Sequence, residues 1–290
     1  MQPKRLSVLG VGLLGGSIGL AARYRLKHYR IIGYAHRSET LQSALDRGAI
    51  DEGYDDPCRA VQNADLVVLC TPVGMLGALL DRIIPGLASG AIVTDVGSTK
   101  RSVVAHATVA MAGSSARFVG SHPMAGSEKR GVQHAQADLF EGATCVLTPD
   151  HSTDTDALSI VEKFWGDLGM RTVRMSAEEH DRRVAEISHL PHALAAALVT
   201  MQEEQSLALA GKGFADATRI AAGDGGLWRD IFLDNRDNLR ASLARLRASL
   251  DQMLACLDPE NGDLLKAWLD AAANKRDVWG KSAKQRKRSE

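Results

Sequence analysis

Two short polar segments of this 290-residue chain hold side chains that are suited to handling a proton or a small polar ligand. The first is Gly97-Ser98-Thr99-Lys100, and the second, from residue 120 to 126, contains His122. Each follows a β-rich run, and ligands of doubly wound sheets bind at the carboxyl ends of the strands. Because imidazole titrates near neutral pH, His122 is a candidate general base. A loop histidine is as often a structural hydrogen-bonding residue, so position alone leaves both roles open.

A glycine-rich segment near the N-terminus has the spacing of a phosphate-binding turn. Gly10, Gly12 and Gly15 form GxGxxG around Leu13 and Leu14, after an apolar run and before a helical stretch. In that order of elements the glycines permit a tight turn, close approach of a pyrophosphate and packing of helix on strand, while the helix N-terminus favours negative charge. The segment predicts a dinucleotide site, with a turn that serves packing alone as the less favoured alternative.

The second predicted strand indicates which dinucleotide the site prefers. NAD enzymes usually carry Asp or Glu at its end, where the carboxylate accepts the ribose hydroxyls. Here Tyr34 is followed by Ala35-His36-Arg37-Ser38. Arg37 and Ser38 are able to donate to a 2′-phosphate, so we predict NADP as the preferred cofactor and NAD as the alternative. Arg37 could instead stack on the adenine, which would serve either cofactor equally. Thr71-Pro72, at another strand end, is expected at the same cofactor site.

The positions of these segments depend on an alternation of β-rich and helical stretches in the first part of the chain. The predicted strands are residues 5–9, 30–34, 66–70, 91–95, 118–120, 144–147 and 171–174. Such alternation favours an α/β fold with a Rossmann-type, doubly wound, mostly parallel sheet. The run Leu66-Val67-Val68-Leu69 is continuously apolar, which is typical of a strand covered on both faces and predicts a place near the centre of the sheet.

Beyond this sheet the pattern is helical, which predicts an all-helical C-terminal domain. Leucines recur at helical spacing after Ser176, a pattern compatible with packing between two chains. We therefore predict a dinucleotide-binding domain over residues 1–176 and a substrate-binding and dimerisation domain over 177–280. The basic segment 281–290 is expected to be a disordered tail.

The composition excludes several functional classes. The 35 basic and 35 acidic residues cancel, so no overall field would attract nucleic acid or a membrane surface. Four cysteines lie far apart without metal-binding spacing, and no signal peptide or membrane-spanning run is evident. His189 and His192 lack a third ligand at matching spacing, so no metal is expected. The protein is predicted to be cytoplasmic.

Four motifs resemble the prephenate and arogenate dehydrogenases of tyrosine biosynthesis. They are VGSHPMAGSEKRGVQHAQADLFEGA at residues 119–143, SHLPHA at 188–193, GFADATRIA at 213–221 and WRDIFLDN at 228–235. They occur in the order typical of that family, and the similarity covers roughly residues 6–257. The resemblance implies oxidative decarboxylation, in which hydride leaves ring carbon C4 for the nicotinamide and the ring carboxylate departs as carbon dioxide.

The resemblance also implies roles for individual residues. His122 would take the proton of the C4 hydroxyl, and Ser98 would hold the same group or the nicotinamide. Arg219 would grip a substrate carboxylate, although a surface pairing with Asp216 is the plain alternative. His192 would lie beside the substrate.

Two further residues are assigned to the substrate site by the same resemblance. His189 would lie toward the cofactor or the domain interface. Glu128 would stand near the mouth, where it either gates entry or is a solvated loop carboxylate. One position departs from the pattern, because Ala215 stands where some members have lysine.

Several functional alternatives remain open at the level of sequence. Prephenate is the first-choice substrate and arogenate the second, since no residue discriminates a keto acid from an amino acid side chain. A β-hydroxyacid dehydrogenase or imine reductase would share the fold, but would be expected to use a helix lysine or aspartate in place of the histidine. A non-catalytic NADP-binding regulator is disfavoured because Ser98, His122 and Arg219 are all present.

Overall fold

The computed structural model describes residues 4–288, with side chains through residue 281. Its strands are β1 Lys4–Leu9, β2 Tyr29–Tyr34, β3 Glu52–Tyr54, β4 Leu66–Leu69, β5 Ile92–Asp95, β6 Arg117–Val119, β7 Ser121–Pro123, β8 Thr144–Leu147 and β9 Arg171–Arg174. The first six form one parallel sheet in the order β3-β2-β1-β4-β5-β6, and the last three form a separate sheet, β7-β8-β9.

Helices connect the strands and make up the rest of the chain. They are α1 Leu13–Arg25, α2 Ser38–Asp46, α3 Pro57–Ala60, α4 Val73–Ile83, α5 Arg101–Ala110, α6 Thr155–Asp167, α7 Ala177–Val184, α8 Leu190–Thr200, α9 Glu204–Leu207, α10 Lys212–Thr218, α11 Gly225–Asp234, α12 Arg236–Ala255 and α13 Gly262–Arg288. A π-helical turn spans Ala185–His189, and 3₁₀ turns span Ile84–Gly86, Val132–His134, Arg219–Ala222 and Pro259–Asn261.

The six-stranded sheet confirms the predicted Rossmann-type fold. Its strands are parallel throughout, and β4 lies in the interior of the sheet with all four side chains buried, as its apolar run predicts. Apolar clusters cover both faces of the sheet, one built around α1 and α6 and the other around α4 and α5. The short edge strand β3 was not foreseen, because three residues are too few to show a period.

The second sheet changes the position expected for His122. The sequence placed this residue in a loop after a strand, whereas it occupies the middle of β7, which pairs with β8 in antiparallel register, His122 opposite Val146. The strand is anchored at its first residue, because Ser121 Oγ accepts a hydrogen bond of 3.0 Å from Nε1 of the fully buried Trp165. An anchored strand holds a side chain more rigidly than a loop does.

Beyond Arg174 the described residues are helical, in agreement with the predicted helical C-terminal domain. The chain forms two compact units, one through Arg236 and a second from Asp237 onward. The first unit extends past the predicted boundary at Ser176 because α7 packs on α5 and α11 packs on α4. The boundary at Ser176 between a dinucleotide-binding domain and a substrate-binding domain therefore stays a prediction.

The C-terminal segment and the question of a membrane span complete the description. The backbone of residues 281–288 continues α13, since an uninterrupted run without Gly or Pro after Gly280 favours a helix. The expectation of a disordered tail stays a prediction. Residues 289–290 lie outside the described part. None of the helices within residues 4–288 combines the length and apolar character that crossing a membrane requires.

Candidate active site

The glycine turn joins β1 to α1 in the geometry that a dinucleotide site needs. Gly10 has φ +109°, and a Cβ there would stand 2.9 Å from the backbone carbonyl of Cys70. The amide of Gly10 donates to the carbonyl of Tyr34 at 3.0 Å, which ties the turn to the end of β2. A Cβ on Gly15 would meet the Gly10 carbonyl at 2.1 Å, whereas a Cβ on Gly12 would meet nothing within 4 Å. Gly10 and Gly15 are thus required by packing, and Gly12 leaves open space.

That open space belongs to a cavity of about 590 Å³ at the carboxyl ends of the strands. Gly12, Leu13 and Leu14 line it at the N-terminus of α1, and Thr71 and Pro72 line it after β4. The Thr71 hydroxyl is buried and has no hydrogen-bond partner within the protein. A helix N-terminus, an open glycine and an unpartnered hydroxyl fit a nucleotide pyrophosphate, which supplies the acceptors that these groups lack.

Ser98 lines the same cavity from a loop that is held by two buried carboxylates. Asp95 accepts from the Gly97 amide at 2.8 Å and forms a fully buried ion pair with the Lys100 ammonium. Asp181 accepts from the Lys100 amide at 2.8 Å. The loop that carries Ser98 is therefore fixed on both sides of this residue.

His122 reaches the cavity from β7 and is almost completely buried, with 9% of its surface exposed. Its Nδ1 lies 2.8 Å from Nε2 of His180. Burial, together with the nearby His180, Lys100 and His189, holds the pKa of His122 well below its usual value of 6.5. The imidazole is therefore neutral at neutral pH and able to accept a proton.

Ion pairs are present at the loop that follows β7. Arg219 donates to Glu128 at 3.0 Å, and Arg130 pairs with Asp224; all four residues line the cavity. Arg219 is exposed over 63% of its side chain. The structure pairs Arg219 with Glu128 rather than with Asp216, the plain alternative considered from sequence.

The two histidines of the SHLPHA motif differ in their surroundings. His192 lines the cavity and stacks on Trp228, with ring centroids 3.6 Å apart and an interplanar angle of 15°. Its Nδ1 is buried without a partner, and burial lowers the pKa of the ring. His189 does not line the cavity; it is 1% exposed, and its Nδ1 lies 3.2 Å from Nδ2 of Asn235. Burial lowers the pKa of His189 to about 4.

The structure brings together most of the residues that were predicted from sequence. Those on the cavity wall are Gly12, Leu13, Leu14, Thr71, Pro72, Ser98, His122, Glu128, His192 and Arg219. Gly10 and Gly15 lie in the turn behind it. Arg37 and Ser38 are exposed outside the cavity, where α2 begins after the end of β2.

Sequence reasoning missed four residues that this geometry makes important: Lys100 as a buried cation, His180, Asp181 and Trp228. The His180-Asp181 pair lies in a strongly polar helix, where neither residue stands out from a solvated surface pattern. A buried ion pair cannot be recognised before the fold is known, since lysine is almost always exposed. Trp228 lies within a motif that was singled out but received no role.

A glycine turn suited to binding a pyrophosphate and a neutral histidine share one cavity. Together they define the class of this protein, a nucleotide-dependent oxidoreductase. Comparison with known proteins agrees. The family model described as the prephenate dehydrogenase nucleotide-binding domain matches residues 18–174, and the one described as the prephenate dehydrogenase dimerization domain matches residues 176–271.

Individual relatives extend over nearly the whole chain. A prephenate dehydrogenase from Bacillus subtilis is 37% identical over 92% of this chain and 74% of its own. A cyclohexadienyl dehydrogenase from Zymomonas mobilis is 35% identical over 90% and 91%. The crystal structure of a prephenate dehydrogenase from Aquifex aeolicus with hydroxyphenyl propionate and NAD+ has a TM-score of 0.89 and 34% identity, covering 96% of this chain and 99% of that one. The chain belongs to the prephenate dehydrogenase family.

The two glycines at the start of α1 lead to opposite predictions. Gly12→Ala lowers the stability little, because the added methyl meets no atom and φ is −83° with ψ −147°, at the edge of the extended region. It raises the cofactor Kd by about tenfold or more, equivalent to about 1.4 kcal/mol. Gly15→Ala lowers the free energy of unfolding by about 1 to 3 kcal/mol because its methyl overlaps the Gly10 carbonyl.

Urea unfolding followed by circular dichroism and cofactor titration followed by fluorescence measure the two effects. Each variant is the control for the other. Unchanged cofactor affinity in a fully folded Gly12→Ala protein would show that the pyrophosphate lies elsewhere.

Proposed function

We propose that this protein oxidises prephenate to 4-hydroxyphenylpyruvate and carbon dioxide, with hydride transfer to NADP or NAD. The observation that supports this most is that one cavity holds the glycine turn, Ser98 and His122 together with Arg219 and His192. The bound nicotinamide would accept the hydride from ring carbon C4. Arogenate is the second candidate substrate, favoured by the likeness to a relative named cyclohexadienyl dehydrogenase.

His122 is proposed as the general base. Hydride loss from C4 makes the attached hydroxyl strongly acidic, so a neutral imidazole in hydrogen-bond reach takes its proton as the carbonyl forms. Ser98, in the loop held by Asp95 and Lys100, lines the same cavity and is proposed to donate to the same oxygen or to the nicotinamide amide. The bond to the ring carboxylate then breaks, carbon dioxide leaves, and the electron pair stays in the ring, which becomes aromatic as a phenolate. The proton held by His122 returns to the phenolate oxygen, so the imidazole is neutral again and no protein group needs to bind covalently.

Arg219, His192 and Glu128 are proposed to serve substrate recognition. Arg219 presents a planar fork that matches a carboxylate, and Glu128 holds this fork in position until the substrate competes for it. Nδ1 of His192 is buried without a hydrogen-bond partner, and a polar group of the substrate would supply one. The stacking on Trp228 fixes the plane of the His192 ring. His189 is proposed as a support for this aromatic cluster rather than as a substrate contact, because it packs edge-on against Trp228 behind the cavity wall.

NADP is proposed as the preferred cofactor. Residues 35–38 after β2 contain no carboxylate, and the first one, Glu39, lies in the first turn of α2. Arg37 and Ser38 stand at the N-terminus of the nine-residue α2, where amides and a cation would meet a 2′-phosphate. A homodimer is proposed from the match to the dimerization domain and from the exposed leucines of α12, Leu243, Leu250 and Leu254. The cytoplasmic location stays a prediction from the sequence.

The test of the proposed function is the absorbance at 340 nm when the protein receives prephenate or arogenate, each with NADP and with NAD. Turnover with prephenate and faster turnover with NADP would support the assignment. Turnover only with arogenate would replace the substrate. No turnover in any mixture, despite cofactor binding, would reject the function.

His122→Asn is expected to lower kcat by about 10² to 10⁴, the range for loss of a general base, while cofactor affinity is retained. In the unaltered enzyme kcat should fall on the acid side with a midpoint below pH 6.5, because burial and the neighbouring Lys100, His180 and His189 lower the pKa of His122. Initial rates from pH 5 to 9 measure both effects. An acid limb that persists unchanged in His122→Asn would assign it to another group.

Arg37→Ala is expected to reduce kcat/KM for NADP by roughly 10- to 100-fold, because a hydrogen bond to a charged group contributes about 1.5 to 3 kcal/mol. The value for NAD should hardly change, since NAD has no 2′-phosphate, and this cofactor is the internal control. Equal losses with both cofactors would instead indicate stacking on the adenine.

Arg219→Lys is expected to raise KM for the substrate by roughly tenfold or more, with a smaller change in kcat, because an ammonium replaces the bidentate fork. Arg229→Lys is the matched control, since Arg229 is similarly exposed but does not line the cavity. Steady-state kinetics at saturating cofactor give both constants. A KM that is equal in the two variants would remove Arg219 from substrate binding.

A further inference from the structure

A second histidine stands behind His122. His180 of α7 is fully buried and does not line the cavity, and its Nε2 lies 2.8 Å from Nδ1 of His122. The two rings meet nearly edge to face, with centroids 5.1 Å apart and an interplanar angle of 69°. One ring nitrogen must donate the proton of this contact and the other must accept it. Which one donates decides what His122 presents to the substrate.

Asp181, the next residue along the chain, determines which of the two ring nitrogens carries the proton. Oδ1 of Asp181 lies 2.7 Å from Nδ1 of His180, and the same carboxylate accepts from the amides of Lys100 and Arg101 at 2.8 and 3.0 Å. Burial alone would raise the pKa of Asp181, but the hydrogen bonds from His180 and from these two amides outweigh it and lower the pKa. The carboxylate is therefore ionised and is only an acceptor.

We propose that Asp181 selects the tautomer of His122 through His180, and that both are positioning residues for the reaction. Since Asp181 accepts, Nδ1 of His180 carries the proton and its Nε2 has the lone pair. His122 must then donate from Nδ1, which leaves the lone pair on Nε2 for the substrate hydroxyl. This inference rests on the proposed function, in which His122 is the base, and adds the reason why its basic nitrogen is the one available to the cavity.

The surrounding charges keep both rings neutral, as this arrangement requires. The Lys100 ammonium, paired with Asp95, acts on both rings, and His189 acts on His122. Burial lowers the pKa of His180, although Asp181 opposes the shift. A doubly protonated His180 would donate from Nε2 and force the His122 proton onto the nitrogen that faces the substrate. The described arrangement is therefore stable only while His180 stays neutral.

The first experiment reads the tautomer directly. Nitrogen-15 NMR of the full-length protein with labelled histidine distinguishes protonated from unprotonated ring nitrogens, and spectra of His122→Asn and His180→Gln assign the signals. We expect both histidines to carry their proton on Nδ1. A proton on Nε2 of His122 would overturn the proposal, and this readout requires no turnover.

Two substitutions of His180 distinguish a role as a hydrogen-bond acceptor for His122 from a role in packing alone. His180→Leu removes the acceptor, so His122 is released to the Nε2-protonated form. We expect kcat to fall by roughly 10- to 100-fold, as it does when metal-binding histidines lose the hydrogen-bond partner that sets their tautomer. In His180→Gln the amide oxygen accepts from Nδ1, so kcat recovers most of that loss. Equal kcat in the two variants would contradict the proposal.

The carboxylate is tested by Asp181→Ala, with Asp154→Ala as the matched control, because Asp154 also caps a helix with its carboxylate but does not contact the cavity that holds His122. We expect Asp181→Ala to give a mixture of His122 tautomers and Asp154→Ala to give none. A single unchanged tautomer in a folded Asp181→Ala protein would overturn the role of the carboxylate. If Asp181→Ala does not fold, the spectrum of the unaltered protein and the pair at position 180 still decide the proposal.

Failure of the inference and failure of the proposed function give different results. Absence of turnover with every substrate and cofactor, together with the expected tautomer, would reject the function alone. Normal turnover with His122 protonated on Nε2 would reject the inference alone.

Discussion

The buried ion pair between Asp95 and Lys100 is the interaction on which the site depends. Both side chains are fully inaccessible to solvent, and Asp95 also accepts from the amides of Gly97 and Ser121. One carboxylate thus fixes the loop that carries Ser98 and the strand that carries His122. Removal of one partner of such a pair leaves an uncompensated buried charge, which costs about 3 to 5 kcal/mol. The Lys100 ammonium and the amides of Gly97 and Ser121 stabilise the negative charge of Asp95 in the protein interior.

A second buried carboxylate, that of Asp181 in α7, also holds several parts of the site together. It caps the start of α5 and contacts His180, so the N-terminus of this helix, the Ser98 loop and the imidazole pair share one anchor. The next turn of the chain, Ala185–His189, is π-helical, and such turns occur frequently at functional sites. His189 ends it and lies beneath Trp228, on which His192 stacks. His192 and Trp228 on the cavity wall are thereby packed ring against ring, with His189 behind them.

The family relationship and the geometry of the site support each other, but they explain different properties of the protein. The relationship assigns the chain to the prephenate dehydrogenases, whereas the geometry explains why a histidine in β7 stays neutral and why a glycine at position 12 leaves room for a ligand. In the proposed function Arg219, which Glu128 holds by a hydrogen bond of 3.0 Å, would bind a carboxylate that prephenate and arogenate both carry.

The sequence by itself determined the parts that depend on neighbours along the chain. The glycine turn, the buried run of β4 and the helical second half follow from short-range spacing and from the periodicity of apolar residues. Only the tertiary structure decided that His122 lies in a strand of a second sheet, that Lys100 is buried, and that His180 stands behind His122. His122 and His180 are 58 residues apart, and their contact arises from the register of β7 against β8 and the docking of α7 on α5. Long-range packing of this kind leaves no periodic signal in the sequence.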